Sequence, residues 1–407
     1  MSDVRMRPIK ETITLEEARG ILEKTIAPVT RTEQVPLLAA NRRVLARDLV
    51  STRDVPPFTR AAMDGYAVVA ADTFGATQFD PRVLRSVGTV FTGQVSTTAI
   101  GPGECIEIAT GAPLPEGGDA VVMVEETEKA GADLVRIFGP VYPRQNVGHQ
   151  GADIQTGQVL LESGALLNPS RVGAIAAVGI TEIEVFARPR VATVSTGNEI
   201  IEPGQALGPG QIYDINRFTL AAIIGEHGGV AVLHPTVADT IEELGRAIDE
   251  CKGEDLIIFS GGSSVGERDL TLDLLRARGR VLFHGIAVKP GKPTLFGVID
   301  GTPVFGMPGY PTSCLSNGYM LLVPLLRRLA HLPAVGPRTV VLPLGQRIVS
   351  TTGRHQFYTV RVVNGAAMPA FKASGDITSM SQADGYIEIP AQIDIVEKGE
   401  MVEVRLF

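Results

Sequence analysis

Hydrophobic spacing changes character several times along the chain, and each change predicts a different kind of element. Over residues 14–26, Leu15, Ala18, Ile21, Leu22 and Ile26 recur at helical spacing, and Thr14 and Glu17 stand as a capping box. From about Val44 to Gly164, short β-branched runs (VLRSVGTVF, CIEIATGAP, AVVMVEET) alternate with glycine and proline, which predicts a β-rich module. Asn168 and Pro169 then open a helix that stops at Gly179.

After Pro189 the period alternates. Strand-like runs at 191–196, 230–235 and 256–262 are separated by helical patterns at 216–226, 240–252 and 270–278. VLFHGIAV, TLFGVI and PVFGMPG follow as strands, and a long helix is expected from Pro311 to about His331. Such alternation indicates a mostly parallel sheet covered on both faces, with ligands beyond the carboxyl ends of its strands. From Pro337 the pattern is β again, and a small β domain is expected to the last residue.

Composition narrows the class. A chain of 407 residues is too long for one ordinary core, so two to four domains are expected. Its 44% hydrophobic and 20% charged residues fit a globular protein. The longest apolar run, 321–326, contains Pro324 and meets Arg327 and Arg328, so no membrane span is expected. Arg5, Arg7, Lys10 and Glu11 have no apolar core behind them, which argues against a secretory signal and for a cytoplasmic protein. Cys105, Cys251 and Cys314 are far apart and read as small buried apolar side chains; the six histidines show no zinc spacing. A net charge of −8 argues against nonspecific nucleic-acid binding. An anionic ligand would therefore be held by local cations and backbone amides.

Three loops and a few carboxylates carry candidate chemistry. In SGGSSVGERD (260–269), Gly261, Gly262 and Gly266 permit close backbone approach and an amide nest for an anion; a tight turn with Asp269 only capping the next helix is equally available. In KPGKP (289–293), Lys289 and Lys292 flank a Pro-Gly turn and suit a tetrahedral oxyanion, unless the loop is simply an exposed basic turn. In GMPGYPTS (306–313), Pro308, Gly309 and Pro311 fix a turn that leaves the Thr312 and Ser313 amides free, for a ligand or merely as a helix start. Glu199 follows a strand end, Asp239 stands at a helix start with Glu242 three residues on, and Asp64 precedes Gly65. A helix cap for Asp239 and a plain Asp-Gly turn for Asp64 remain open. One or two of these carboxylates with a phosphate would hold Mg²⁺.

Taken together the motifs resemble the molybdopterin molybdenumtransferase family, which includes MoeA, the gephyrin E domain and the plant Cnx E domain. PPFTRAAMDGYAV (56–68), IATGAPLPEGGDAVVMVEET (108–127), GADI (151–154), VSTGNEI (194–200), QIYDINR (211–217), SGGSSVGERD, KPGKP and GMPGYP occur in the family's order. The resemblance implies a multidomain α/β protein: a doubly wound, mostly parallel α/β ligand-binding domain, a β-rich insertion domain, a discontinuous α+β domain and a C-terminal small β-barrel-like domain. The corresponding boundaries are 1–45 with 155–187 for the discontinuous domain, 46–154 for the insertion, 188–331 for the α/β domain and 332–407 for the last. An L-shaped homodimer is implied, with a cleft built from the third domain of one subunit and parts of its partner.

The implied activity is insertion of molybdate into adenylylated molybdopterin with Mg²⁺-dependent release of AMP. Carried over position by position, Asp64, Thr110, Asp153, Glu199, Asp239 and Asp269 match the catalytic polar positions, and Asp239, Asp269 and Glu199 the metal-binding ones. Gly261, Gly262, Ser263, Gly266, Lys289, Lys292, Pro308, Pro311, Arg354 and Ser379 match positions that bind molybdate and pterin, with Ser374 a further match. Two residues depart from the pattern: Tyr310, where the family often has Asn, and Thr312, where it has a small aliphatic. They bear on the choice between molybdate and tungstate. An upstream molybdopterin adenylyltransferase is the implied source of substrate. The alternatives are a non-catalytic dimeric scaffold, a pterin adenylyltransferase and a tungstate-inserting enzyme.

Overall fold

The structure, a computed structural model, describes residues 9, 11–261, 269–334, 338–373 and 375–407. It divides into two compact units, one of residues 1–33, 42–44 and 184–407, the other of 34–41 and 45–183.

The second unit is built on a six-stranded sheet in the order Ala120–Met123, Gly65–Val68, Glu104–Ile108, Arg82–Val90, Leu134–Ile137, Thr127–Lys129. Side chains alternate across a strand, and here both faces are covered. Tyr66, Val68 and Cys105 pack into one buried cluster, Ala67, Ile106 and Ile108 into another. That is why Gly65–Val68 is buried at every position. Gly65 itself is dictated by close approach, since a Cβ there would lie 1.8 Å from the Val122 carbonyl oxygen.

The larger unit holds the predicted α/β sheet. Its order is Val230–Leu233, Arg190–Ser195, Leu256–Ser260, Thr302–Met307, Leu295–Ile299, Gly279–His284. The first four strands are parallel, and the last two are antiparallel additions. From Arg190–Ser195 the chain crosses through helix Asn216–Glu226 to Val230–Leu233 on one side, then through Ile241–Glu250 to Leu256–Ser260 on the other. The two helices cover opposite faces: Leu220 and Ile223 pack with Val191 and Ile258, whereas Leu244 and Ile248 pack with Ala192 and Phe259. The order therefore reverses between Arg190–Ser195 and Leu256–Ser260, and a crevice opens beyond their carboxyl ends.

Helix Leu15–Thr25 carries the expected capping box. Leu15, Ala18 and Leu22 bury against the α/β core. The expected helix from Pro311 to His331 is α-helical over Pro311–Asn317, widens to a π turn at Gly318–Leu322 and resumes at Val323–Leu329. Pro324 has no N–H for the carbonyl four residues back, and the Arg19 side chain donates to that Met320 carbonyl at 3.1 Å instead.

The run VLFHGIAV, expected as one strand, is split. Gly279–His284 closes the α/β sheet, whereas Val288–Lys289 pairs in parallel with His355 and Gln356 in the C-terminal sheet. That sheet continues through Gly385–Ile389, Met401–Leu406 and Thr339–Pro343. Gly285 makes the break at φ +95°, where a Cβ would strike Ile9 at 2.5 Å. All three cysteines are buried and free. Among the described residues no helix is long and apolar enough to cross a membrane.

Candidate active site

Four chain segments meet at the crevice of the α/β sheet. The first two are the ends of adjacent parallel strands: Ser195 Oγ lies 3.3 Å from Ser260 Oγ, and Thr196 N–H donates to the Ser260 carbonyl at 3.0 Å. Gly261 follows at φ +107°, and a Cβ on it would stand 2.4 Å from the Thr196 carbonyl oxygen, so no other residue fits. The third is the loop after Thr302–Met307, where a Cβ on Gly309 would lie 3.5 Å from Gly261 Cα. The fourth is the start of helix Asn216–Glu226, whose Asn216 Nδ2 donates to the Gly309 carbonyl at 2.8 Å. Backbone without side chains thus lines the place where a sheet of this type receives its ligand. Gly262, Ser263 and Gly266, the other nest positions, lie outside the described residues.

Two carboxylates stand on the Thr196 side. The Gly197 N–H donates to the Val237 carbonyl at 3.3 Å, and a Cβ on Gly197 would come 2.7 Å from Glu199 Oε2, which ties the STGNE turn to the loop before helix Ile241–Glu250. Asp239 does not cap that helix. Thr240 does, its hydroxyl accepting from the Glu243 N–H at 3.2 Å, so the Asp239 carboxylate is released from the role its position suggested. Much of Asp239 reaches solvent, yet surrounding protein raises its carboxyl above the ordinary aspartate value; the Thr196 hydroxyl opposes this and the Glu199 charge adds to it. Two mutually repelling carboxylates are a fitting donor pair for a hard divalent cation that also takes phosphate oxygens. Among the described residues no group of three or more His, Cys, Asp or Glu side chains could hold a metal ion by itself.

Asp269 is committed differently. Its Oδ1 accepts from the Leu272 N–H at 3.0 Å, the cap that spacing allowed, and its Oδ2 lies 3.1 Å from His284 Nε2. His284 had no signal in the sequence, because only the antiparallel strand Gly279–His284 returns it to Asp269.

The lysines of KPGKP sit on a loop with a cis Lys289–Pro290 bond. Both are half-buried rather than exposed, which removes the plain basic-turn reading. Lys289 Nζ donates to Thr351 Oγ1 at 2.7 Å and Lys292 Nζ to the Ile9 carbonyl at 3.0 Å. Arg354 is exposed in the same turn as Thr351, its N–H donating to the Thr351 carbonyl at 3.4 Å. Pro308 is buried and Pro311 starts helix Pro311–Asn317. Thr312 Oγ1 and Ser379 Oγ both donate to the Asp376 carbonyl, at 3.3 and 2.9 Å, and Tyr310 is 67% exposed beside Gly375. Ser374 lies outside the described residues.

This architecture has relatives along its whole length. Three family models match in succession: MoeA N-terminal region (domain I and II) over residues 13–179, Probable molybdopterin binding domain over 192–328, and MoeA C-terminal region (domain IV) over 341–407. Molybdopterin molybdenumtransferase 2 of Mycobacterium tuberculosis is 34% identical over 401 residues, 96% of this chain and 98% of that relative. The chain belongs to the molybdopterin molybdenumtransferase family. The molybdopterin molybdenumtransferase of Haemophilus influenzae is 36% identical over 318 residues, 78% of each chain. A molybdopterin biosynthesis MoeA protein from Pyrococcus horikoshii superposes with a TM-score of 0.85 at 40% identity, over 97% of this chain and 99% of that one. The family, the multidomain α/β fold and the enzyme class expected from the motifs agree with these relatives.

The smaller unit carries the remaining family positions. Asp64 is an exposed turn residue whose Oδ1 accepts from the Thr110 N–H at 2.7 Å, and this bond, with a contribution from the Thr110 side chain, holds its carboxyl below the ordinary range. Asp64 and Thr110 are thus brought together. Asp153 is exposed, and its N–H donates to the Val55 carbonyl at 3.0 Å.

Proposed function

We propose that this molybdenumtransferase-family protein inserts molybdate into adenylylated molybdopterin with Mg²⁺ and releases AMP, the last step of molybdenum cofactor assembly. The observation that carries the reading is the crevice at the strand-order reversal, where side-chain-free backbone at Gly261 and Gly309 borders the Glu199–Asp239 pair. Amides from Gly261 onward, including those at Gly262, Ser263 and Gly266, receive the pyrophosphate. Lys289, Lys292 and the amides after Pro311 hold molybdate, with Pro308, Arg354 and Ser379 as the other positions on its path.

Glu199 and Asp239, with Asp269 added to the set on the family pattern alone, would hold Mg²⁺, and the cation would neutralise charge on the pyrophosphate. Water adds to one phosphorus of the phosphoanhydride, the bridging P–O bond breaks, and AMP and a terminal molybdopterin phosphate separate. Two Mo–S bonds form as one molybdate oxygen leaves as water with the two thiol protons. Neither step needs a covalent enzyme intermediate, so positioning and charge placement do the catalysis. Asp64, Thr110 and Asp153 are assigned to the polar machinery on the family pattern alone. A homodimer is the working unit in this reading, and a molybdopterin adenylyltransferase supplies the substrate.

The test is to incubate the protein with adenylylated molybdopterin, Mg²⁺ and either molybdate or tungstate, and to follow AMP. Oxyanion-dependent release supports the reading, and the faster oxyanion names the metal. No AMP with either oxyanion, or ATP consumption on unmodified molybdopterin, overturns it.

A further inference from the structure

The turn at 214–217 belongs to the QIYDINR motif, and the chemistry above makes no use of it. Asn216 is 7% exposed and opens helix Asn216–Glu226. Its Nδ2 bond to the Gly309 carbonyl fixes the orientation of the amide. The opposite atom, Oδ1, is buried and has no hydrogen-bond partner among the described residues. Two residues earlier Asp214 is 4% exposed; one oxygen accepts from the Arg217 N–H at 3.0 Å, while Oδ2 is buried and likewise without a partner among the described residues.

Buried acceptors left unpaired are costly and uncommon, so these two ask for a donor. Arg217 Nε on the same turn is also buried without a hydrogen-bond partner among the described residues, but its guanidinium is paired with Glu202 through Nη1. The turn borders the crevice, because the Gly309 that Asn216 holds lies against Gly261. Asp214 lies near the same loop's helix, where its charge, after burial, helps raise the Cys314 thiol. An amide oxygen and a carboxylate oxygen both only accept. They are the wrong chemistry for molybdate or pyrophosphate oxygens, which also only accept. Their complement is a pair of N–H donors on a heterocycle, and a pterin presents such a pair where the 2-amino group stands next to a ring N–H.

We propose that Asn216 and Asp214 bind the 2-amino and ring N–H edge of the pterin, and that Asn216 couples this contact to the GMPGYP loop through the Gly309 carbonyl. The inference rests on the function proposed above and names the part of the substrate that the turn reads.

The experiment is calorimetric titration of the full chain with a simple 2-amino pterin and with its 2-oxo counterpart. The wild-type protein is expected to prefer the 2-amino probe by about tenfold or more, since a site built around hydrogen bonds discriminates strongly against an analogue lacking them. Asn216→Leu should remove most of that preference. Asp214→Asn, which is isosteric and presents an N–H in place of Oδ2, should move the preference toward the 2-oxo probe, and it serves alone if Asn216→Leu does not fold. Equal affinity of the wild-type protein for both probes, or a preference untouched by folded variants, overturns the proposal and leaves the two oxygens to bound water. Failure of AMP release while the 2-amino preference persists would count against the assigned reaction and not against this contact.

Discussion

Lys289 Nζ donates to Thr351 Oγ1 at 2.7 Å, joining the strand that leaves the α/β sheet to the turn that precedes strand His355–Val363. The ammonium is held in place by a neutral hydroxyl, so its charge stays available to an anion. Lys289→Ala should raise the molybdate concentration for half-maximal rate by about tenfold or more, with the adenylylated molybdopterin concentration for half-maximal rate nearly unchanged. Thr351→Val keeps the charge and frees the side chain, so a smaller effect of the same kind is expected. Steady-state AMP release with each substrate varied separates the two constants, and equal loss of both would contradict the role.

Gly291 sits at the centre of the same loop with φ +107°. The Asn317 Nδ2 donates to the Gly291 carbonyl at 2.9 Å and to Thr294 Oγ1 at 2.6 Å, and a Cβ on Gly291 would come 2.5 Å from that amide. Gly291→Ala combines backbone strain with the displacement of a buried polar side chain. It should cost about 2–4 kcal/mol in denaturant unfolding and reduce oxyanion use. A stability change below about 0.5 kcal/mol would show that the loop yields easily.

Thr240 and Asp239 are neighbours with opposite expected behaviour. Thr240→Ala removes the cap on helix Ile241–Glu250 and should cost about 1 kcal/mol of stability. Asp239 has a carboxyl raised above its unfolded value, so the folded state binds that proton more tightly and loses stability as pH rises from below 3.8 through the raised value. Asp239→Asn should therefore leave the melting temperature at pH 7 unchanged or higher while suppressing AMP release. A clear fall in melting temperature would instead make Asp239 a structural residue.

Glu388 provides a pH-dependent test in the C-terminal sheet. Burial pushes its carboxyl up, but the hydrogen bond with His355 at 2.8 Å and the charge of Arg405, also in contact with it, overcome burial and hold it below 4.5. A depressed carboxyl contributes stability that is present above the unfolded value of 4.5 and disappears as pH falls through the folded one. Glu388→Gln should lower the melting temperature at pH 7 and flatten its fall in acid. Parallel melting curves for the two proteins from pH 7 to 3 would contradict this.

Much of the local architecture was legible because it depends on short-range chemistry. The Thr14–Glu17 capping box, the Asp269 cap of helix Leu270–Arg278 and the continuous apolar runs of the central parallel strands Arg190–Ser195 and Leu256–Ser260 are such features. Spacing left the cap at Asp239 open because two adjacent residues can both accept from the helix start, and only the backbone path chose Thr240. It also fused Gly279–His284 with Val288–Lys289, since an apolar run does not reveal that two different sheets share it.

By itself, the sequence determined the family, the kinds of element and the loops that carry glycine, lysine and carboxylate, because each is written in adjacent residues. Only tertiary structure decided which side chains meet. His284 reaches Asp269 across 15 positions, Lys289 reaches Thr351 across 62, and Asn216 reaches Gly309 across 93. Such pairings are set by strand order and by how closely glycine backbones approach, and no local pattern encodes them.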